Sequence, residues 1–269
     1  MRNLIFLIFI FNIYFAQNNN YSQFNSQAAD TSQSYVSYLL QHDTIFKERW
    51  ITNDLFVYYN VSKKDLSDTL LFTLVNDPKQ FKMTWYGKLY WGYGMRWGKI
   101  HHGLDIFLTI GDTIYAAFDG IIRYAQFNKG GYGNCIIIRH LNGLETLYGH
   151  MSKLLIGINT FVKAGQPIGL GGSTGRSDGP HLHFETRYKD FSFNPYFLID
   201  STNHTLKSVS TTIYKKFLYN ERYPVPGVKK TNYKKPNKNR YYRSKKKKIV
   251  KKIIVKKTNK SKSKKTNKK

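Results

Sequence analysis

Hydrophobic and polar positions change their pattern several times along the chain. After an apolar run at the N-terminus, residues 17–33 are polar and nearly uncharged, which is typical of a linker. Residues 34–91 are mixed: the stretch YVSYLLQHD predicts a short helix, and DLFVYYNV and TLLFTLV predict strands. We therefore expect a small mixed α/β segment ahead of the main domain.

From residue 92 to about residue 200, short β-branched and aromatic runs alternate with glycine-bearing turns. Asn142 and Gly143 stand between two such runs, and this dipeptide is a strong signal for a β-hairpin. No long stretch of the region has the apolar period of a helix. The pattern predicts a mainly β domain of antiparallel type over residues 92–200, followed by a C-terminal extension over residues 201–228.

The N-terminus has the pattern of a secretion signal. Arg2 precedes an apolar run from Leu4 to Phe11, and Ala16 offers a small residue for cleavage. We therefore expect a signal peptide over residues 1–16 and export to the periplasm or cell envelope, or secretion. An uncleaved membrane anchor is the alternative, although the run is shorter than the roughly 20 apolar residues of a spanning helix.

The formal net charge of +27 is concentrated in the C-terminal tail. Residues 229–269 contain 21 of the 43 Lys and Arg residues and no Asp or Glu. This Lys-rich composition predicts a disordered tail that would attract an anionic membrane surface or an acidic envelope polymer. A solvated tail without a specific partner stays open, and we expect no specific nucleic acid because the chain is predicted to leave the cytoplasm.

A pair of histidines stands out in the stretch GRSDGPHLHFET. Side chains at i and i+2 of a strand share a face, so His181 and His183 are expected side by side. Buried imidazoles usually serve a metal or a reacting proton. In KIHHGLDIFL, His101 and Asp105 are two further residues of types that bind zinc. With His183 as a third ligand, this set would leave a coordination position open, and His181 would lie beside the metal as a proton carrier.

The other histidines carry weaker signals. His150, in TLYGHMS, is by its own sequence context more typical of a surface or packing position. His102 follows His101 and faces the opposite side of an extended chain, so it is not expected to bind the metal. The histidines without companions, which are expected to be structural, are His42, His140 and His204.

Three motifs together resemble the lysostaphin-type (LytM-type) zinc metallopeptidases, which are peptidoglycan endopeptidases of the bacterial envelope. They are His101-x-Gly103-x-Asp105, then GYGNCIIIRH with NGLETLYGH, then GGSTGRSDGPHLHFE, all in the family's order between residues 93 and 195. The resemblance implies an antiparallel β metallopeptidase domain with a groove at its zinc site. It implies one Zn²⁺ per chain, with the metal ligands His101, Asp105 and His183 and the catalytic histidines His150 and His181.

The resemblance also implies a substrate: the stem peptides or cross-bridges of peptidoglycan, attacked by a metal-activated water. The glycine-rich run formed by Gly171, Gly172, Ser173 and Thr174 is expected to line the substrate groove, with a simple turn as the alternative. Whether the 34–91 segment covers or supports the groove is left open. Two other classes also stay open: an envelope regulator that activates another hydrolase, and a secreted polyanion-binding protein that uses the tail.

Overall fold

The computed structural model describes residues 24–85 and 87–220. The predicted signal peptide over 1–16 and the predicted tail over 229–269 lie outside these residues, so both stay predictions. Within the described ranges, no helix is long and apolar enough to cross a membrane.

Strands dominate the described chain. The helices are α1 (Phe24–His42) and α2 (Thr44–Lys47), and 3₁₀ turns lie at Lys63–Asp65, Pro78–Gln80, Pro195–Phe197 and Lys215–Phe217. The strands are β1 (Thr69–Thr73), β2 (Leu89–Trp91), β3 (Gly94–Arg96), β4 (Lys99–His101), β5 (Leu104–Phe107), β6 (Thr113–Tyr115), β7 (Gly120–Asn128), β8 (Gly133–His140), β9 (Leu144–Met151), β10 (Lys153–Leu154), β11 (Phe161–Val162), β12 (Pro167–Leu170), β13 (His181–Tyr188), β14 (Phe191–Phe193), β15 (Ile199–Asp200), β16 (Thr205–Leu206) and β17 (Ser210–Tyr214).

An antiparallel eight-stranded sheet forms the centre of the fold. Its order is β11-β7-β8-β9-β13-β5-β2, and β14 pairs with β13. The predicted hairpin joins β8 to β9, where Arg139 pairs with Glu145 and Gly143 has a φ of 83°. A left-handed φ of this kind favours glycine. The prediction of a mainly β, antiparallel fold is therefore confirmed.

The two faces of this sheet differ in character. On β13, Leu182 and Phe184 join the main hydrophobic core, which also receives Ile114 and Ile168 from the smaller sheet β10-β12-β6. Because strand side chains alternate, the other β13 side chains point to the opposite face. That face, which we call the polar face, carries from β13 the residues His181, His183, Glu185 and Arg187.

The N-terminal segment differs from its predicted secondary structure. Helix α1 begins at Phe24, so part of the predicted linker over 17–33 is helical; the run from Phe24 to His42 contains no Gly or Pro to break it. Of the two predicted strands, TLLFTLV is confirmed as β1, which pairs with β17 of the C-terminal extension. DLFVYYNV, residues 54–61, is wrong as a strand: it is irregular and lies on the polar face of the sheet.

The backbone around DLFVYYNV is bound by buried side chains and not by a neighbouring strand, and for this reason the strand predicted there does not form. We call residues 50–58 the strap. Arg123 donates hydrogen bonds to the carbonyl oxygens of Ile51, Asp54 and Leu55, at 2.8 to 3.0 Å. The backbone N–H of Tyr58 donates to Asp190 at 2.6 Å. These bonds satisfy backbone N–H and C=O groups that in a strand would pair with a neighbouring strand.

Residues 95–99 are part of a separate compact unit. Within it, the Arg96 guanidinium lies 4.3 Å from the centroid of the Trp97 ring.

Candidate metal centre

Three predicted ligands meet at one end of the polar face. His183 on β13 pairs in register with Asp105 on β5, and His101 ends β4. The Asp105 Oδ1 atom lies 3.0 Å from His101 Nε2 and 2.8 Å from His183 Nδ1, and the two nitrogens are 3.2 Å apart. Ligand atoms of a tetrahedral zinc ion lie about 3.3 Å from one another. The donor types and their spacing therefore fit zinc.

Gly103, which lies between β4 and β5, allows the chain to approach β13 closely. A Cβ atom at this position would overlap the carbonyl oxygen of Phe184 on β13. The glycine that the first motif places between His101 and Asp105 is thus required by packing.

Hydrogen bonds fix which nitrogen each ligand histidine offers. Since a carbonyl oxygen only accepts, His101 donates Nδ1–H to the Gly92 carbonyl at 2.7 Å and presents Nε2 to the site. His183 has the reverse orientation: its Nε2 lies 2.7 Å from Oε1 of Glu185, and its Nδ1 faces Asp105. Such partners orient metal-binding imidazoles.

The two predicted catalytic histidines lie next to the ligand set. The ring centroids of His150 and His181 are 4.6 Å apart, and His181 Nε2 is 3.6 Å from Asp105 Oδ1. His150 donates Nδ1–H to the Thr174 carbonyl at 2.7 Å, and His181 donates Nδ1–H to the Gly179 carbonyl at 2.8 Å. With Nδ1 as the donor, the lone pair of each ring in its neutral form lies on Nε2.

The backbone at His150 is held in an uncommon conformation. Its φ is 62°, in the left-handed region that non-glycine residues rarely occupy. The His150 N–H donates to the Tyr132 carbonyl at 2.8 Å, and Thr174 binds its ring. Left-handed backbone that the surroundings hold in place is common at functional sites.

The glycine-rich run surrounds this histidine pair. Gly171 and Gly172 are buried, and a Cβ on Gly172 would overlap the backbone of Met151 and Ser152. Thr174 places its hydroxyl 2.7 Å from the Met151 carbonyl, while Ser173 bonds Ser177. The predicted groove-lining role of these residues stays a prediction, and the contacts give the glycines a packing role as well.

Burial and neighbouring charges shift the pKa values of the site. Burial, together with His183 and His181, lowers the pKa of His150 to about 3, so this ring stays neutral. Burial opposes charge on His183 as well, but its hydrogen bonds to Asp105 and Glu185 prevail and raise its pKa to about 9. Burial likewise disfavours the Asp105 carboxylate, but its contacts with the His101 and His183 rings outweigh burial and hold its pKa far below the usual range.

The remaining histidines do not join the ligand set. His102 is buried and bonds the hydroxyl of Ser192 at 2.6 Å. His140 bonds Asp119 and Thr146 within the core. Both His42 and His204 are exposed.

The residues behind His183 were not among the predicted site residues. Glu185 is two positions further along the same strand face, so the alternation that pairs His181 with His183 also predicts its position. Arg187 follows at the same spacing and binds Glu185 Oε2 at 2.6 Å. Tyr132 donates its hydroxyl to Glu185 at 2.9 Å, and no local pattern in the sequence indicates this contact.

Comparisons with known proteins show that the part of the chain that carries this site resembles a known family. The model of peptidase family M23 matches residues 99–195. The DD-carboxypeptidase/endopeptidase Mpg of Neisseria meningitidis is 38% identical over 133 residues, which are 48% of this chain and 27% of that protein. The peptidoglycan DD-endopeptidase ShyC of Vibrio cholerae is 40% identical over 97 residues, 36% of this chain and 22% of that protein.

Solved structures include the catalytic domain of lysostaphin from Staphylococcus simulans. It is 35% identical, with a TM-score of 0.42, and the match covers 43% of this chain and 96% of that one. The chain spans about a quarter of the length of the curated relatives it matches. The matched range contains all three predicted ligand residues and both neighbouring histidines, and we conclude that residues 99–195 of this chain form a domain of peptidase family M23.

Proposed function

We propose that the protein is a zinc-dependent endopeptidase that hydrolyses peptide cross-links of bacterial peptidoglycan. The observation that carries this proposal is the grouping of five residues: the ligand set of His101, Asp105 and His183, with the His150 and His181 rings beside it. Relatives named as peptidoglycan endopeptidases match this part of the chain. The export predicted from the N-terminal sequence would bring the chain to such a substrate.

In the proposed reaction His101, Asp105 and His183 would hold one zinc ion. Zinc at such a site supplies a Lewis acid for the scissile carbonyl and lowers the pKa of water toward about 7. Of the two remaining histidines, one removes the proton of the attacking water through Nε2 and passes it to the leaving amine, and the other, with a proton on Nε2, donates a hydrogen bond to the oxyanion. The Thr174 and Gly179 carbonyls keep both Nε2 atoms directed into the site.

Metal removal and return provide the first test. The purified chain is treated with a chelator, dialysed and incubated with purified peptidoglycan, with and without one equivalent of zinc. We expect release of soluble peptide fragments only after zinc is restored. A zinc-loaded chain that leaves peptidoglycan intact would contradict the proposal and favour the regulator alternative.

A further inference from the structure

Behind His183, a series of buried contacts runs along the polar face to the strap. The Nε2 of His183 lies 2.7 Å from Glu185, and Glu185 accepts from Arg187 at 2.6 Å. The Arg187 guanidinium lies 4.8 Å from the ring centroid of Phe56, which belongs to the strap. Glu185 and Arg187 are almost fully buried.

The Glu185 carboxylate is fixed at both oxygens. Oε1 accepts from the Tyr132 hydroxyl at 2.9 Å as well as from His183, while Oε2 accepts from Arg187. Arg187 in turn donates to the Tyr132 hydroxyl at 2.9 Å. Rotation of the carboxylate would break several buried hydrogen bonds at once, so the plane of the His183 ring is fixed with it.

The support of His183 differs from that of the other site histidines. His101, His150 and His181 each donate a ring N–H to a backbone carbonyl, whereas His183 faces a buried carboxylate. A carboxylate behind a metal-binding imidazole fixes its tautomer and makes it a stronger ligand.

We propose that Glu185 is a positioning residue for the metal ligand His183, and that the strap takes part in this support by placing Phe56 against Arg187. The inference rests on the zinc site of the proposed function and adds two points to it. Metal affinity depends on a residue that does not touch the metal, and the N-terminal segment supports the centre from further along the same polar face.

The chain offers a matched control for Glu185. Glu145, on the adjacent strand β9, is equally buried and is bound by two arginines, Arg123 at 2.7 Å and Arg139 at 2.9 Å, but it bonds no metal ligand. Glu185→Gln and Glu145→Gln both place an amide against buried guanidinium groups. We therefore expect the two changes to lower the free energy of unfolding by comparable amounts. Only the first change alters the partner of His183.

The strap offers a second pair of variants. Leu55 and Phe56 are neighbours: Leu55 belongs to the buried cluster with Tyr124 and Leu147, against which Phe56 also packs, and the Phe56 ring lies against Arg187. Phe56→Ala removes the ring beside Arg187, Phe56→Tyr keeps an aromatic face there, and Leu55→Ala is the control.

The test measures zinc dissociation constants of the full chain by chelator competition, together with the visible spectrum of the Co²⁺-loaded chain. We expect Glu185→Gln to weaken zinc binding about 10- to 100-fold and to change the Co²⁺ spectrum. Glu145→Gln should leave both near wild type. Phe56→Ala should weaken zinc binding several-fold, with Phe56→Tyr and Leu55→Ala close to wild type.

Two results would overturn the inference: wild-type zinc affinity in Glu185→Gln, or equal losses in the two glutamate variants. If Glu185→Gln does not fold, the strap variants decide, and equal affinities in Phe56→Ala and Leu55→Ala reject it. Cleavage of peptidoglycan is a separate readout. A zinc-loaded wild type without cleavage removes the proposed function, while the affinity comparison still decides the role of Glu185.

Discussion

At the scale of single residues, the hydrogen-bond partner of each site histidine determines which ring nitrogen faces the site. His150 and His181 present Nε2 because backbone carbonyls accept their Nδ1–H groups. Motif spacing and family resemblance predicted all five side chains that the structure brings together. Their tautomers could not be predicted, because the accepting carbonyls come from Gly92, Thr174 and Gly179, where any residue type offers the same group.

Replacement of His150 tests its catalytic role at this scale. His150→Asn should lower the rate of peptidoglycan cleavage about 10²- to 10⁴-fold and leave zinc bound, because the ring exchanges protons without holding the metal. Asparagine tolerates the left-handed backbone at this position. The measurements are cleavage rate and zinc content per chain.

His204→Asn is a matched control, since His204 is exposed and also left-handed, with a φ of 56°. This variant should retain the wild-type rate. Equal rates in the two variants would remove His150 from the mechanism.

Titration of the Glu145 carboxylate should make the free energy of unfolding depend on pH. Burial alone would raise its pKa, but Arg123 and Arg139 lower it from 4.5 to about 2. A lowered folded-state pKa contributes stability that is fully present above pH ~4.5 and is lost as the pH falls toward 2. The difference in unfolding free energy between wild type and Glu145→Gln should shrink by roughly 3 kcal/mol over this window.

Urea unfolding of the zinc-free forms at several pH values measures this difference. Other carboxyl groups titrate in both proteins and cancel in the comparison. A difference that stays constant from pH 5 to pH 2 would show that Glu145 does not titrate in this window.

At the scale of elements, the central sheet can be predicted from the sequence and the conformation of the strap cannot. Runs such as NCIIIRH and LETLYGH have strong strand signals, and Asn142-Gly143 marks their turn, so β8 and β9 follow from local sequence. The strap resembles a strand by composition, yet its carbonyls accept from Arg123 across the fold. That arginine is 68 to 72 residues away in sequence, and no local pattern records such a contact.

Helix α2 should contribute to stability although it has only four residues. Phe46 on this helix is fully buried in a cluster with Val36 and Leu39 of α1 and Ile121 of β7. Phe46→Ala should lower the free energy of unfolding by about 3 to 5 kcal/mol, because it removes a large ring from a packed site. Urea unfolding of the zinc-loaded chain measures this loss.

Leu71→Ala is the control, because Leu71 is 75% exposed and should change stability by less than about 0.5 kcal/mol. A Phe46→Ala variant as stable as this control would mean that α2 is only loosely attached.

At the scale of the whole molecule, the basic tail and the peptidase domain are expected to act separately. All five site residues lie between His101 and His183, whereas the tail begins at residue 229. A chain ending at Val228 should therefore keep zinc-dependent cleavage of soluble cross-linked fragments at the wild-type rate. Loss of all cleavage on tail removal would favour the polyanion-binding alternative.

The most direct test of the account is mass spectrometry of the fragments released from purified peptidoglycan by the zinc-loaded chain, with His183→Ala in parallel. We expect new amino and carboxyl termini within the cross-link peptides for the wild type and none for the variant. These termini would also identify the bond that is cut. The same fragments from both proteins, or intact peptidoglycan with a wild-type chain that holds zinc, would contradict the assignment of this metal centre as a peptidoglycan endopeptidase site.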